Sequence, residues 1–232
     1  MQPNPDYEGD AVKIAKTLIA DVGWATLVSH PPGRPIVASH YPVLLAPDDA
    51  VPVDSASGEA GDRSSREGRG GDGIVLLGHM CRPDAEDHCL GAGEMLVIVN
   101  GTAGYISPSW YGSGPAVPTW NYVTAHLSGV PERLSGEASL MALDRLVAHF
   151  ERPVARPRLM RGTPADAEYA ARVARFTVSF RLAVTRLDAR VKLSQDKPRE
   201  VRERIIEELD GSGPYANPTL AALMRRALQE EL

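Results

Sequence analysis

Within eleven residues the chain places His79, Cys81, Arg82, Asp84, Asp87, His88 and Cys89, its densest group of side chains able to do chemistry. Imidazoles and thiols suit a soft metal such as zinc. The spacing, His79-x-Cys81 followed by His88-Cys89, differs from the paired short loops of structural zinc sites, and no zinc centre is expected. Cys81 alone reads equally as a small buried residue at a strand end. Gly78 allows a ligand to approach the backbone, and His79 with Arg82 can grip an anionic group. Asp84, Glu86 and His88 are candidates for general acid–base work or for recognising an amine. The same acids also suit a solvated helix N-terminus, where they complement the helix dipole.

A second group is aromatic. Tyr105-Ile106-Ser107-Pro108-Ser109-Trp110-Tyr111 and Pro118-Thr119-Trp120-Asn121-Tyr122 hold two of the three tryptophans and three of the seven tyrosines, in a chain only 6% aromatic. The rings alternate with Ser, Thr, Asn and Pro rather than with Val, Ile and Leu. Flat rings among small hydrogen-bonding groups suit a planar ligand or a partner surface. Lys192-Leu193-Ser194-Gln195 is a polar cluster read as directly following the long strand 176–184. Arg152, Arg156, Arg158 and Arg161 form a basic run in a Pro-containing loop.

The elements that must position these groups can be read from periodicity. Ala11, Val12, Ala15, Leu18, Ile19 and Val22 recur at helical spacing and end at Gly23; Trp24–Ser29 and Ile36–Leu45 read as strands, Pro42 marking an edge or a bulge. Residues 47–73 are rich in Gly, Ser, Asp and Arg and too poor in apolar groups to offset their ordering entropy, so a disordered hairpin insertion is expected. Strands follow at Ile74–Met80, Met95–Val99 and Thr119–Val130, with Gly101-Thr102-Ala103-Gly104 as a turn between them. Leu140, Leu143, Val147 and Phe150 mark a helix face, and 176–184 alternates strictly as a half-buried strand. Two C-terminal helices are expected within about 198–232. Short strands without a βαβ rhythm predict an α+β, mainly antiparallel chain, a small β-barrel with peripheral helices, as one domain over 1–232.

At 232 residues and a net charge of −5, with no helix-turn-helix pattern, the chain is not expected to bind DNA through general electrostatics. Neither a membrane span nor a signal peptide is read, and two cysteines make no disulfide framework; a cytoplasmic protein is expected. The dinucleotide-binding, P-loop, zinc-protease and nucleophile-elbow motifs are absent from the sequence.

Ala38-Ser39-His40-Tyr41-Pro42, Gly78-His79-Met80-Cys81-Arg82, the two aromatic segments and Lys192-Leu193-Ser194-Gln195 together resemble the PaiB family, described also as FMN-binding negative transcriptional regulators. The resemblance implies an FMN-binding split β-barrel, a homodimer with small-molecule sites at the subunit interface. It implies Ser39 and His40 along the site, His79 and Arg82 against a flavin phosphate or haem propionate, Ser107, Ser109, Trp110, Trp120 and Asn121 around the ring, and Lys192, Ser194 and Gln195 closing it. Where the family continues Ala-Asn-Pro-x-Trp after Arg, this chain has Pro83-Asp84-Ala85-Glu86-Asp87-His88. A carboxylate beside a phosphate costs on the order of a kcal/mol at a partly buried site. The cofactor is thus FMN or haem b. Three functions follow: a regulatory or redox split-barrel protein; a haem-dependent piperazate synthase closing N5-hydroxyornithine, with His79, His88 or Cys81 as axial ligand; and a cofactor-free dimeric binding module.

Overall fold

The computed structural model describes residues 10–47, 73–112 and 114–230, so the insertion expected at 47–73 lies, but for its two end residues, outside the described residues. The elements run α1 Ala11–Asp21, β1 Trp24–Ser29, β2 Val37–Leu45, β3 Val75–Cys81, α2 Arg82–Asp87, β4 Met95–Ile106, β5 Thr119–Gly129, β6 Pro131–Arg133, α3 Gly136–Glu151, α4 Pro164–Val173, β7 Thr177–Ala183, β8 Arg186–Lys192, α5 Arg199–Asp210 and α6 Pro218–Glu230. Strand order is β6-β7-β3-β2-β1-β4-β5-β8. The pairings β1–β2, β2–β3, β3–β7 and β6–β7 are antiparallel. Among the described residues no helix is long and apolar enough to cross a membrane.

The chain clusters into two compact units, Met1–Leu18 with Val99–Ala125 and Asp188–Leu232, and Ile19–Ile98 with His126–Leu187. In the second unit Leu76, Met80, Phe180 and Leu182 are fully buried. Pro42 lies on β2, the strand between β3 and β1 in the strand order. It sits where β2 changes partners: residues up to Pro42 pair with β1, and Val43 onwards with β3. Proline has no N–H to give to a ladder, and at a changeover none is needed.

The first unit closes around Ile106, Leu193, Ile205, Leu209, Leu220, Met224 and Leu228. Leu220, Met224 and Leu228 fall four apart on α6 and face α5, the amphipathic pattern that drives a helical hairpin onto a sheet. Asn217 pins this hairpin: its Oδ1 accepts the Leu220 N–H at 3.1 Å and its Nδ2 donates to the Ala103 carbonyl at 3.1 Å. Gly101 to Gly104 is not a turn but the interior of β4. A Cβ at Gly101 would stand 2.8 Å from Leu18 Cδ2, and one at Gly104 2.7 Å from Leu220 Cδ2. The two glycines therefore admit helix side chains against the strand rather than bending it. Also, β8 intervenes and ends at Lys192, so the polar cluster closes β8 and does not directly follow the long strand β7.

Candidate functional site

Two groups of the expected residues are brought together, one in each unit. In the second unit, β2 carries Ser39 and Tyr41, β3 carries His79 and Cys81, and α2 begins at once with Arg82, Pro83 occupying its first turn. Two-residue spacing puts Ser39 with Tyr41, and His79 with Cys81, on common strand faces. Tyr41 joins the elements: its hydroxyl donates to Asp84 Oδ2 at 2.7 Å and accepts the Cys81 N–H at 3.1 Å. Its ring meets that of His79 edge-on, 5.9 Å between centroids. Burial first, then the side chains of Cys81 and Asp84, push the Tyr41 phenol well above its ordinary value against the opposing Cys81 N–H, so it remains a donor. The bond from Tyr41 is the main cause holding Asp84 below the usual carboxylate range.

His79 is the polar side chain that this cluster leaves unmatched. Its Nδ1 is buried with no hydrogen-bond partner, and burial lowers its pKa, keeping the imidazole neutral. Gly78 is filled by this chain rather than by a ligand: its missing Cβ would lie 2.5 Å from the Phe180 ring. Arg82 turns away, its guanidinium donating to the Arg175 carbonyl at 2.9 and 3.3 Å. His40 and Glu86 are exposed. His88 is 3% exposed and bracketed by hydroxyls, Ser29 Oγ at 2.7 Å from Nδ1 and Ser39 Oγ at 3.1 Å from Nε2. Burial lowers its pKa, with Asp84 and Asp87 opposing. Among the described residues no three of His, Cys, Asp and Glu gather in a metal-binding arrangement.

In the first unit, Trp120 is 56% exposed and meets Tyr105 edge-on at 6.1 Å, while Tyr215 from the α5–α6 loop tilts against Tyr105 at 4.8 Å. Ser107 caps the short 3-10 turn Pro108–Tyr111, accepting the Ser109 N–H at 3.3 Å, and its hydroxyl pairs with that of Ser109 at 2.7 Å. Trp110 packs half-buried against the α5–α6 core. Asn121 is fully buried: its Nδ2 donates to Ser194 Oγ at 3.0 Å, and the Ser194 hydroxyl returns a bond to Oδ1 at 3.1 Å. Gln195 spends its amide on backbone, accepting from Leu193 N and donating to the Val191 carbonyl, both at 2.6 Å. Lys192 Nζ donates to Thr119 Oγ1. Trp120 and Lys192 thus present groups outward or across strands, whereas Asn121, Ser194 and Gln195 satisfy one another or the main chain.

Ser29 and Tyr215 were not among the expected site residues, and Tyr41 and Tyr105 stood inside the expected motifs without a role of their own. For Tyr41 the signal was present, two residues beyond Ser39 on one strand face. For Ser29 and Tyr215 the partners lie 59 residues away or more, and no local pattern announces them.

We expect Tyr41→Phe to cost about 1–2 kcal/mol at neutral pH, through loss of a charge-assisted bond to Asp84. Because the Asp84 pKa is depressed in the folded state, that stabilisation is complete above the ordinary carboxylate pKa and fades as pH falls through the lowered one. Urea unfolding from pH 7 towards about pH 3 should show the difference between wild type and variant narrowing. A constant difference would mean that Asp84 is not the partner that matters.

The model of the family described as "Putative FMN-binding domain" matches residues 1–186. A curated relative, the "Protease synthase and sporulation protein PAI 2" of Bacillus subtilis (strain 168), is 30% identical over 144 residues, 60% of this chain; the chain spans 66% of that relative's length. Among solved structures, the conserved hypothetical protein Rv2991 of Mycobacterium tuberculosis aligns with a TM-score of 0.50 at 12% identity, over 86% of this chain and 95% of that one. The FAD and heme binding protein of Mycobacterium smegmatis aligns with a TM-score of 0.47 at 17% identity, over 78% and 70%.

Proposed function

Since the chain belongs to this FMN-binding domain family, of the PaiB type, and has its split β-barrel fold with peripheral helices, we propose that it holds a planar redox cofactor, FMN or haem b, at a homodimer interface and serves a regulatory or redox role. The observation that carries the reading is His79: a neutral imidazole with a buried, unpartnered nitrogen, beside Tyr41 and Cys81 in a cluster otherwise satisfied. A buried polar atom without a partner costs roughly 1–3 kcal/mol, a cost that a bound group would relieve.

The two cofactors ask different things of these residues. FMN needs a cationic grip on its phosphate. Arg82 is engaged with Arg175, His79 is neutral, and Asp84 is an ionised carboxylate, so this wall suits a phosphate poorly. Haem needs a lone pair, which a neutral imidazole supplies. His88 has both nitrogens occupied, which leaves His79 the better axial candidate.

Asp84 favours a second reading, a haem-dependent piperazate synthase acting on N5-hydroxyornithine. A part-buried carboxylate kept ionised by a phenol is a receptor for a substrate ammonium. Bound haem would supply a Lewis acid for the hydroxylamine; Asp84 would orient the amine.

The test is the absorption spectrum of the purified protein before and after adding FMN or haemin. A Soret band supports haem and the second reading, and a flavin spectrum supports FMN. Failure to retain or titrate either chromophore overturns both and leaves a cofactor-free binding module.

A further inference from the structure

The side of β3 and β7 that α3 covers holds a depression that the cofactor reading leaves unused. Its floor is Val75 and Leu77, two apart on one face of β3, and Arg181 stands opposite Leu77 in the β3–β7 register. Its wall is one face of α3, where Ala138, Met141, Ala142 and Arg145 fall three or four residues apart. All of these residues belong to the second unit. Larger side chains would close such a seam, since protein interiors are packed nearly without voids. Here two of the four wall positions are alanine, and the space left measures about 400 Å³ to its open mouth.

The backbone around this space is anchored. The Ser139 hydroxyl donates to that of Ser179 at 2.9 Å, fastening α3 to β7. Leu134 N donates to the Ser179 carbonyl at 2.8 Å, and Ala46 N to the Val75 carbonyl at 2.7 Å. A ligand entering here is spared the cost of ordering its own site.

Charge is the second observation. Arg181 has Glu132 beside it, Nε to Oε2 at 3.4 Å. Arg145 is half-buried, and among the described residues no side chain pairs with its guanidinium. Its own helix offers no carboxylate at the right spacing, because Met141 and His149 stand four residues to either side. Asp144 projects about 100° away round the helix. Glu137 is taken by Arg161, and Glu151 by the Arg158 N–H. An apolar floor thus meets one uncompensated positive charge. Apolar cavities hold water poorly and accept a ring or a branched chain. A guanidinium accepts a carboxylate through two parallel hydrogen bonds.

We propose that this depression binds a small carboxylic acid with an apolar body, its carboxylate on Arg145 and its ring or branched chain against Val75, Leu77 and Met141. The binding involves no covalent step and needs neither flavin nor haem.

The full-length protein is titrated with phenylacetate, followed by calorimetry and by the Met141 methyl resonance, which Met141→Leu identifies. Saturable binding that shifts this resonance is expected. Phenylacetamide keeps the ring and loses the charge, and acetate keeps the charge and loses the ring; each should bind at least about tenfold more weakly. Arg145→Gln should weaken phenylacetate about 10–100-fold. Ala138→Leu fills the space from the helix side and should abolish binding. No saturable binding, an amide as good as the acid, or an unchanged affinity in either variant overturns the proposal. If Ala138→Leu does not fold, the wild-type protein decides: a Met141 shift with the acid and not the amide supports the site, and binding that leaves Met141 unmoved overturns it. FMN and haemin spectra of the same samples report the cofactor reading separately, so either can fail alone.

Discussion

Gly129→Ala is expected to destabilise the protein by about 3 kcal/mol, a fall of roughly 6–12 °C in Tm for a chain of this size. Gly129 ends β5, and a Cβ there would lie 2.2 Å from the Ala183 carbonyl oxygen and 2.8 Å from Leu182 Cδ2. Real Cβ atoms do not come so close to backbone oxygen, and the oxygen cannot swing aside as the end of a side chain can. The segment opposite is tied down on both sides: Val184 N donates to the Ile74 carbonyl at 2.9 Å, and Thr185 N to the Ser128 carbonyl at 2.8 Å. Arg186 adds a bond to Ser128 Oγ at 3.0 Å. Relief must come from parting two backbones, with those bonds weakened together. Alanine's smaller unfolded-state entropy returns only about 0.5–1 kcal/mol. Thermal or urea unfolding checks this, and a loss under about 0.5 kcal/mol would mean that the Ser128–Gly129 strand end shifts without cost.

Where one element carries its own periodicity, the sequence announces it. The α1 face ending at Gly23, the alternation through β7 and the four-residue spacing along α6 are all properties of neighbouring residues, and each element stands where it was expected. What fails is the reading of residues whose role is set from outside. Gly101 and Gly104 look like a turn because their use is to admit Leu18 and Leu220, residues far away in sequence. At Pro42 a strand exchanges partners midway, and such an exchange has no local signature. β8 and α4 were not read at all; α4 buries none of its residues, so no apolar stripe marks it. The site divides in the same way. The Gly-His-x-x-Arg and aromatic motifs locate two groups by type, one in each unit. Tertiary hydrogen bonding then decides which of their side chains remain uncommitted, and it commits Asn121 to Ser194 and Arg82 to Arg175.

His79→Ala is expected to weaken cofactor retention, and the size of its effect separates the two cofactors. If the imidazole ligates haem iron, its removal deletes a coordinate bond. Even outer-sphere partners of metal ligands are worth about 10–100-fold in affinity, so haemin binding should weaken by about 100-fold or more, with loss of the Soret band on gel filtration. If His79 only hydrogen-bonds FMN, one neutral bond is at stake, about 0.5–1.5 kcal/mol, and affinity should fall no more than about tenfold. Folding is not the confounder it would be at most buried positions. Nδ1 has no partner to lose, and Ala removes a buried unsatisfied atom while vacating space beside the Tyr41 ring. The two effects oppose, so the apo variant should unfold within about 1 kcal/mol of wild type. His30→Ala, at an exposed position outside both groups, is the matched control. Haemin or FMN affinity unchanged in His79→Ala would remove His79 from the site, and with it the reason to seat a cofactor against β3.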